Sequence, residues 1–181
     1  MKHLLKTTML LLTLMSATFF GANAQKSSSK GMTAKVGDTK WKSDAKACTA
    51  VWDSSTGTLT ITATNNNETI TIQLKSEGRV YTKGFTVGEY YFARDSYIMD
   101  DYYVDAFYSN GDTDWKDNDH VERTVGKVQI TEISATSVKG KFYFDLTKKD
   151  YLDKKEDIFL HDKTNTVSIT EGSFDINLTT K

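Results

Sequence analysis

Four aspartates crowd into one polar stretch of the sequence and are its first candidate for chemistry. They lie within residues 110–122, on both sides of Trp115, and are Asp112, Asp114, Asp117 and Asp119. Ca²⁺ takes about six to eight hard oxygen ligands, which closely spaced carboxylates and loop carbonyls supply. The spacing matches no EF-hand loop, and aspartate is also an ordinary turn residue. We therefore expect a polar loop and no cofactor, with Ca²⁺ on these four carboxylates as the alternative.

Aromatic side chains are concentrated just upstream of that loop. Nine of them fall between positions 90 and 115: Tyr90, Tyr91, Phe92, Tyr97, Tyr102, Tyr103, Phe107, Tyr108 and Trp115. Rings beside aspartate and asparagine are typical of sugar-binding faces, because a ring contacts the C–H face of a pyranose while carboxylates and amides bind its hydroxyls. The predicted contact rings for a glycan or other small polar ligand are Tyr103, Phe107 and Trp115. Their predicted polar partners are Asp112 and Asp114, although tyrosines are also simply good strand residues.

Catalytic motifs are weak. His120 and His161 both lie in charged stretches, and no nucleophile-elbow, zinc-protease or phosphate-loop motif is present. Glu89 with Asp100 or Asp101 offers a carboxylate pair for glycoside hydrolysis, which only their separation in space decides. The sequence therefore favours a non-catalytic binding or structural module. The alternatives are a carboxylate-dependent hydrolase and a barrel that carries a lipid in an apolar cavity.

The elements that position these residues are short strands, because apolar and polar residues alternate along most of the chain. Three strand pairs are predicted: residues 58–64 with 69–74, residues 127–133 with 138–146, and residues 167–170 with 174–178 across a break at Glu171 and Gly172. Each strand has one face to bury and one to expose, which is typical of antiparallel sheets. We predict an all-β fold, an antiparallel β-sandwich or open β-barrel of about nine to ten strands.

The first 24 residues have the pattern of a secretory signal peptide. A basic start precedes an apolar stretch at residues 9–20, and small residues at Ala22 and Ala24 suit cleavage after Ala24. The apolar stretch is too short for a membrane span, which needs about 20 residues. We predict a signal peptide at residues 1–24, a flexible tether at 25–31 and a single β domain at 32–181, with no transmembrane segment after cleavage.

Charge and cysteine content define the predicted compartment. Cleavage removes Lys2 and Lys6 and changes the formal charge from −1 to −3, which argues against nucleic acid as a partner. Cys48 is the one cysteine, so no intramolecular disulfide can form, and its apolar surroundings predict a buried, inert thiol. Gln25 stands where a lipoprotein would carry its lipid-attached cysteine. We expect a soluble protein of a bacterial periplasm or the extracellular space.

Six segments together resemble a known family. They are residues 33–41, 59–62, 71–74, 126–131, 138–142 and 169–174. Their order resembles a family of exported, often lipid-anchored proteins of unknown function from Bacteroidota. The resemblance implies a β-sandwich-like domain in the cell envelope and supplies no catalytic residues. This chain departs from the family in lacking the lipid-attachment cysteine and in the acidic loop around Trp115.

Overall fold

The computed structural model describes residues 30–76, 84–91, 102–117, 126–149 and 165–181. The strands are β1 (Gly31–Val36), β2 (Thr39–Lys42), β3 (Cys48–Asp53), β4 (Thr58–Asn65), β5 (Glu68–Ser76), β6 (Gly88–Tyr91), β7 (Tyr102–Ser109), β8 (Asp114–Lys116), β9 (Gly126–Ile133), β10 (Ser137–Lys148) and β11 (Thr166–Thr180). A 3-10 turn, Ala45–Ala47, precedes β3. The prediction of an all-β fold is confirmed, with eleven strands in the described residues. The predicted signal peptide lies outside those residues.

One sheet contains every described strand, in the order β2-β1-β11-β3-β4-β5-β7-β8-β10-β9-β6. All neighbours are antiparallel except β11 and β3, which run parallel. Because β10 also pairs with β11, strands β3, β4, β5, β7, β8, β10 and β11 form a closed circuit, here called the strand ring. Such closure is the barrel-like form of an antiparallel sheet. Among the described residues, no helix has the length and apolar content to cross a membrane.

Two of the three predicted strand pairs are confirmed. β4 and β5 form a hairpin whose two-residue turn contains Asn66 at φ 51°, a left-handed conformation that asparagine tolerates. β9 and β10 form the second hairpin, joined through residues 134–136.

The third predicted pair is wrong, because β11 is one continuous strand. Thr33 of β1 pairs with Ser173 whereas Lys35 pairs with Thr170, so two residues of β11 lie opposite one residue of β1. This is a β-bulge, and Glu171 within it has φ 50°. A bulge bends a strand without ending it. The bent β11 pairs with β10, β1 and β3 in turn.

Two glycines allow β10 and β11 to pack tightly. Gly140 pairs with Phe174, and Gly172 pairs with Phe142. A Cβ on Gly140 would lie 2.4 Å from the Phe174 ring and 2.4 Å from the backbone oxygen of Gln129, while one on Gly172 would lie 2.5 Å from the Phe142 ring. Each ring therefore covers the opposite glycine, and the two rings stack with centroids 6.2 Å apart. These residues belong to the segments that carry the family resemblance.

Candidate functional site

A cavity of about 330 Å³ opens where β3 and β11 end and β4 begins. Its walls come from four separate parts of the chain, and its lining is mostly apolar. The lining residues are Trp52, Leu59, Gly84, Phe85, Ile133, Ser134, Ala135, Leu178 and Thr180. Four of the lining residues are small, namely Gly84, Ser134, Ala135 and Thr180, and the last three of these are exposed.

Phe85 forms one wall of the cavity and belongs to an aromatic cluster. Its ring meets Trp52 edge-on at 5.3 Å between centroids and Tyr90 edge-on at 5.4 Å. It also meets Tyr102 in a tilted arrangement at 4.9 Å. Such edge-to-face contacts add to the free energy of simple burial. Phe85 is only 7% exposed, so it joins the core while closing the cavity on one side.

Two tyrosine hydroxyls fix the backbone on either side of Phe85. The Tyr90 hydroxyl donates to the Thr86 carbonyl at 2.7 Å and accepts from the Thr86 N–H at 3.0 Å. The Tyr102 hydroxyl donates to the Gly84 carbonyl at 3.3 Å. Buried tyrosines usually satisfy their hydroxyls in this way. The wall that carries Phe85 is therefore held in place from both sides.

The opposite rim of the cavity is a hydrogen-bonded turn. The Ser134 side-chain oxygen accepts from the Ser137 N–H at 3.1 Å and from the Thr136 N–H at 3.3 Å. The Leu178 N–H donates to the Thr136 carbonyl at 2.9 Å, which ties the turn to β11. The Ser134 hydroxyl is thus engaged within the turn, and Thr180 is the other hydroxyl-bearing residue of the lining. The cavity thus has an apolar wall and a small number of polar groups, the usual make-up of a ligand site.

The predicted contact rings do not share one face of the sheet. Tyr103 and Phe107 alternate with buried residues of β7 and so point to the outer face. Trp115 pairs with the buried Tyr108 and stacks on it at 5.1 Å, so it lies on the core side. The Lys75 ammonium lies 5.6 Å from the Tyr103 ring centroid. The structure therefore brings two of the three rings to one face, and their contact with a ligand stays a prediction.

The predicted carboxylates lie in and beside a tight turn. The Asn110 side-chain oxygen accepts from the backbone N–H groups of Asp112 at 3.2 Å and Thr113 at 2.9 Å. Asp112 and Asp114 are exposed, and Asp119 lies outside the described residues. Within the described ranges, no three side chains of His, Cys, Asp or Glu come together as a metal site. The Ca²⁺ site on all four aspartates stays a prediction.

The residues considered for catalysis fall mostly outside the described ranges. Asp100, Asp101, His120 and His161 all lie there, so the carboxylate pair remains a hypothesis. Glu89 is described, on edge strand β6.

Cys48 is half-buried rather than fully buried, which corrects the expectation of a buried thiol. It lies at the start of β3, and its Sγ donates to the Ser43 Oγ at 2.9 Å. The same Ser43 oxygen accepts from the Met32 N–H at 2.8 Å, so the thiol completes a structural contact between β1 and β3.

A second aromatic surface lies on the outer face of β6, β9 and β10. Tyr91 of β6 and Tyr143 of β10 both pair with Lys127 of β9, so the three side chains form a row across the strands, here called the outer tyrosine row. Lys127 donates to the Glu89 carboxylate at 2.7 Å, and the Tyr91 hydroxyl donates to the same carboxylate. Neither Tyr91 nor Tyr143 is among the contact rings predicted from the sequence. The available signal was that Tyr143 alternates with Phe142 and Phe144, which are buried.

The hydrogen bond from Lys127, followed by that from Tyr91, holds the pKa of the Glu89 carboxyl below its ordinary value. A lowered folded-state pKa means that this carboxylate contributes stability above its unfolded-state pKa, and the contribution is lost as the pH falls through the folded-state pKa. We expect the K127M variant to raise the Glu89 pKa, as followed by carboxyl-carbon NMR. K116M, on the non-adjacent strand β8, serves as the control. An unchanged Glu89 pKa in K127M would show that the hydrogen bond from Lys127 does not lower it.

Together the fold and the cavity define a β-domain built from one mostly antiparallel sheet that closes around an apolar core. The chain belongs to the family described as Domain of unknown function (DUF6252), whose family model matches residues 28–176. No curated protein and no solved structure matches the chain. The family match agrees with the resemblance to a family of unknown function.

Proposed function

We propose that this chain is an exported, non-catalytic binding protein that holds a small amphipathic molecule in the cavity of the strand ring. The observation that carries the proposal is the cavity of about 330 Å³ with its apolar lining. Ligand pockets in proteins span about 300–1,000 Å³ and combine apolar walls with a few polar groups. The described lining contains no carboxylate, imidazole, amine or thiol, so it offers no base that would activate the hydroxyl of Ser134 or Thr180 as a nucleophile.

The residue types of the lining indicate which part of a ligand would contact apolar side chains and which part would form hydrogen bonds. Leu59, Phe85 and Leu178 provide the apolar surface, and Thr180 brings a hydroxyl to the lining. A volume of this size holds on the order of ten heavy atoms, taking about 30 Å³ for each. A single medium-length alkyl chain with a hydroxyl or carboxyl end fits this description. A barrel that carries a lipid is one of the alternatives predicted from the sequence, and the cavity supports that alternative over paired-carboxylate hydrolysis.

Export is part of the proposal. Residues 1–24 have the basic, apolar and small-residue regions of a signal peptide, and Gln25 follows the predicted cleavage point. A bacterial periplasm and the extracellular space are aqueous compartments, through which amphipathic molecules move when a carrier covers their apolar part. A soluble carrier without a lipid anchor suits that task.

Binding of a series of linear alcohols tests the cavity. Isothermal titration of the mature chain with hexan-1-ol and octan-1-ol should give about tenfold tighter binding for octan-1-ol, because two more methylenes are buried at about 0.8 kcal/mol each. Dodecan-1-ol should gain nothing further, since the cavity is then full. Affinity that rises steadily to dodecan-1-ol, or no binding of any alcohol, would contradict the proposal.

A matched pair of variants locates the binding. Ala135 lines the cavity, whereas its neighbour Thr136 in the same turn does not. The A135F variant should fill the space and weaken octan-1-ol binding at least about tenfold, while T136F should bind as the native chain does. Equal affinity in both variants would place the alcohol elsewhere.

A further inference from the structure

We propose that the outer tyrosine row is a second binding site, one that takes an acidic glycan and works independently of the cavity. The row consists of Tyr91, Lys127 and Tyr143, aligned by the register of β6, β9 and β10. Two tyrosine rings on one sheet face, separated by a polar side chain, form a platform on which separate sugar rings can rest.

The spacing of the two rings suits a short stretch of saccharide. Tyr91 and Tyr143 lie on strands with one strand between them, so their backbones are about 10 Å apart at about 4.8 Å per strand. Tyr91 is 48% exposed and Tyr143 is 39% exposed, so each retains ring surface for contact. A ring presents its π-face to the C–H groups of a pyranose. Two such contacts at this separation match neighbouring sugars along one chain.

The polar side chains of the row are already held in place. Glu89 accepts from the Lys127 ammonium at 2.7 Å and from the Tyr91 hydroxyl. The same ammonium lies 6.0 Å from the Tyr91 ring centroid. Side chains that are ordered before binding lose less conformational entropy when a ligand arrives. The row is therefore a preorganised surface, with amine, carboxylate and phenol groups available to sugar hydroxyls.

One cation beside the row is the reason for proposing an acidic sugar. Lys141 lies on the same outer face, between Gln129 of β9 and Ser173 of β11 in the strand register. Glu89 neutralises Lys127, and Glu132 lies 2.8 Å from the Lys139 ammonium. Within the described ranges no carboxylate forms an ion pair with Lys141. Its exposed ammonium, flanked by an amide and a hydroxyl, suits the carboxylate of a uronic acid.

The chemistry of this face favours a glycan over a protein partner. Protein interfaces bury about 800 Å² on each side around a desolvated apolar centre. Here the two rings are separated by a lysine and bordered by Glu89 and Gln129, so no continuous apolar centre exists on the described part of the face. A saccharide has no such requirement, because each sugar contacts one ring and its hydroxyls bind the polar groups between the rings.

Titration with defined oligosaccharides tests the proposal. The mature chain is screened against an array of uronic-acid-containing and neutral oligosaccharides, and the best acidic tetrasaccharide is then titrated calorimetrically. Y91A and Y143A should each weaken binding about tenfold through loss of one ring contact. Q73A is the control, because Gln73 alternates with buried residues of β5 and so lies on the outer face, outside the row. It should leave the affinity unchanged.

A charge variant and a cavity variant complete the design. K141Q should lower affinity for the acidic tetrasaccharide about threefold to fivefold at low salt and leave neutral sugars unaffected. A135F should bind the glycan normally, so a failure of the cavity proposal and a failure of this one are distinguishable. Thermal unfolding of each variant confirms that it is folded. No acidic hit on the array, or native affinity in both tyrosine variants, would overturn the proposal, as would a loss caused by Q73A instead.

Discussion

The G140A variant is expected to lose more than about 3 kcal/mol of folding free energy, because one added methyl group has no room on β10. Its Cβ would stand 2.4 Å from the Gln129 carbonyl oxygen and 2.4 Å from the Phe174 ring. The carbonyl belongs to the β9 backbone and takes part in strand pairing, so it cannot move without disturbing the β9–β10 ladder. Urea unfolding measures the loss.

G88A is the matched control for the same substitution in a strand. A Cβ on Gly88 would have a single neighbour, the Tyr90 ring at 4.0 Å, and Gly88 has an ordinary backbone conformation. Its unfolding free energy should stay within about 0.5 kcal/mol of the native value, as for most surface changes. Equal stability of G140A and G88A would show that β9 and β10 adjust easily, and the tight packing argued for Gly140 would then be wrong.

Gly172 differs from Gly140 in that a Cβ there would meet a side-chain ring and no backbone atom among its three nearest neighbours. The three atoms nearest to a Cβ on Gly172 all belong to the Phe142 ring. A smaller partner should therefore relieve G172A, and the F142L/G172A double variant should be more stable than the sum of the single changes indicates. The same combination at the other pair, G140A with F174L, should recover less, because the Gln129 carbonyl remains. A double-mutant cycle reports this coupling directly.

Local alternation was sufficient to predict four strands to within two residues at each end. Residues 58–64 and 69–74 became β4 (Thr58–Asn65) and β5 (Glu68–Ser76), and residues 127–133 and 138–146 became β9 and β10. Each of these strands buries one face, so the two-residue period is strong. Their turns also carry local signals, as Asn66 shows by its left-handed backbone.

The error at Glu171 and Gly172 has a non-local cause. A glycine in an alternating segment is compatible with a turn or with a bulge, and the neighbouring residues do not distinguish them. What distinguishes them is the Phe142 ring, which lies on Gly172 from a strand about 30 residues earlier. That contact requires β11 to continue past the glycine. The contact between Phe142 and Gly172 could not be predicted from local sequence, because the two residues are far apart in the chain.

A non-local cause also explains why the three predicted contact rings do not share one face of the sheet. Alternation alone places Tyr103 and Phe107 on one face of β7. The face of Trp115 depends on the turn before β8, because a shift of one residue there would reverse the side chain. The observed register pairs Tyr108 with Trp115 and sends the indole to the core side. The cavity was equally hidden, since its walls come from strands and turns far apart in the chain.

The F85A variant should lose about 3 to 5 kcal/mol of folding free energy, the usual cost of emptying a buried phenylalanine site. Phe85 is buried and contacts Trp52, Tyr90 and Tyr102, so all three rings lose a neighbour. F107A, which truncates an exposed ring, should lose less than about 1 kcal/mol. Denaturant unfolding compares the two, and similar midpoints would contradict a structural role for the aromatic cluster.

Ligand binding by F85A links this wall to the proposed function. Removal of the ring enlarges the cavity, so the variant should gain affinity from octan-1-ol to dodecan-1-ol, where the native chain gains none. F85L keeps most of the volume and should lose only about 1 kcal/mol, chiefly the edge-to-face contacts. It should also retain the native preference for octan-1-ol. If F85A shows no gain in affinity from octan-1-ol to dodecan-1-ol, Phe85 does not close this end of the cavity. The residue that limits the length of the ligand must be one whose truncation admits a longer ligand.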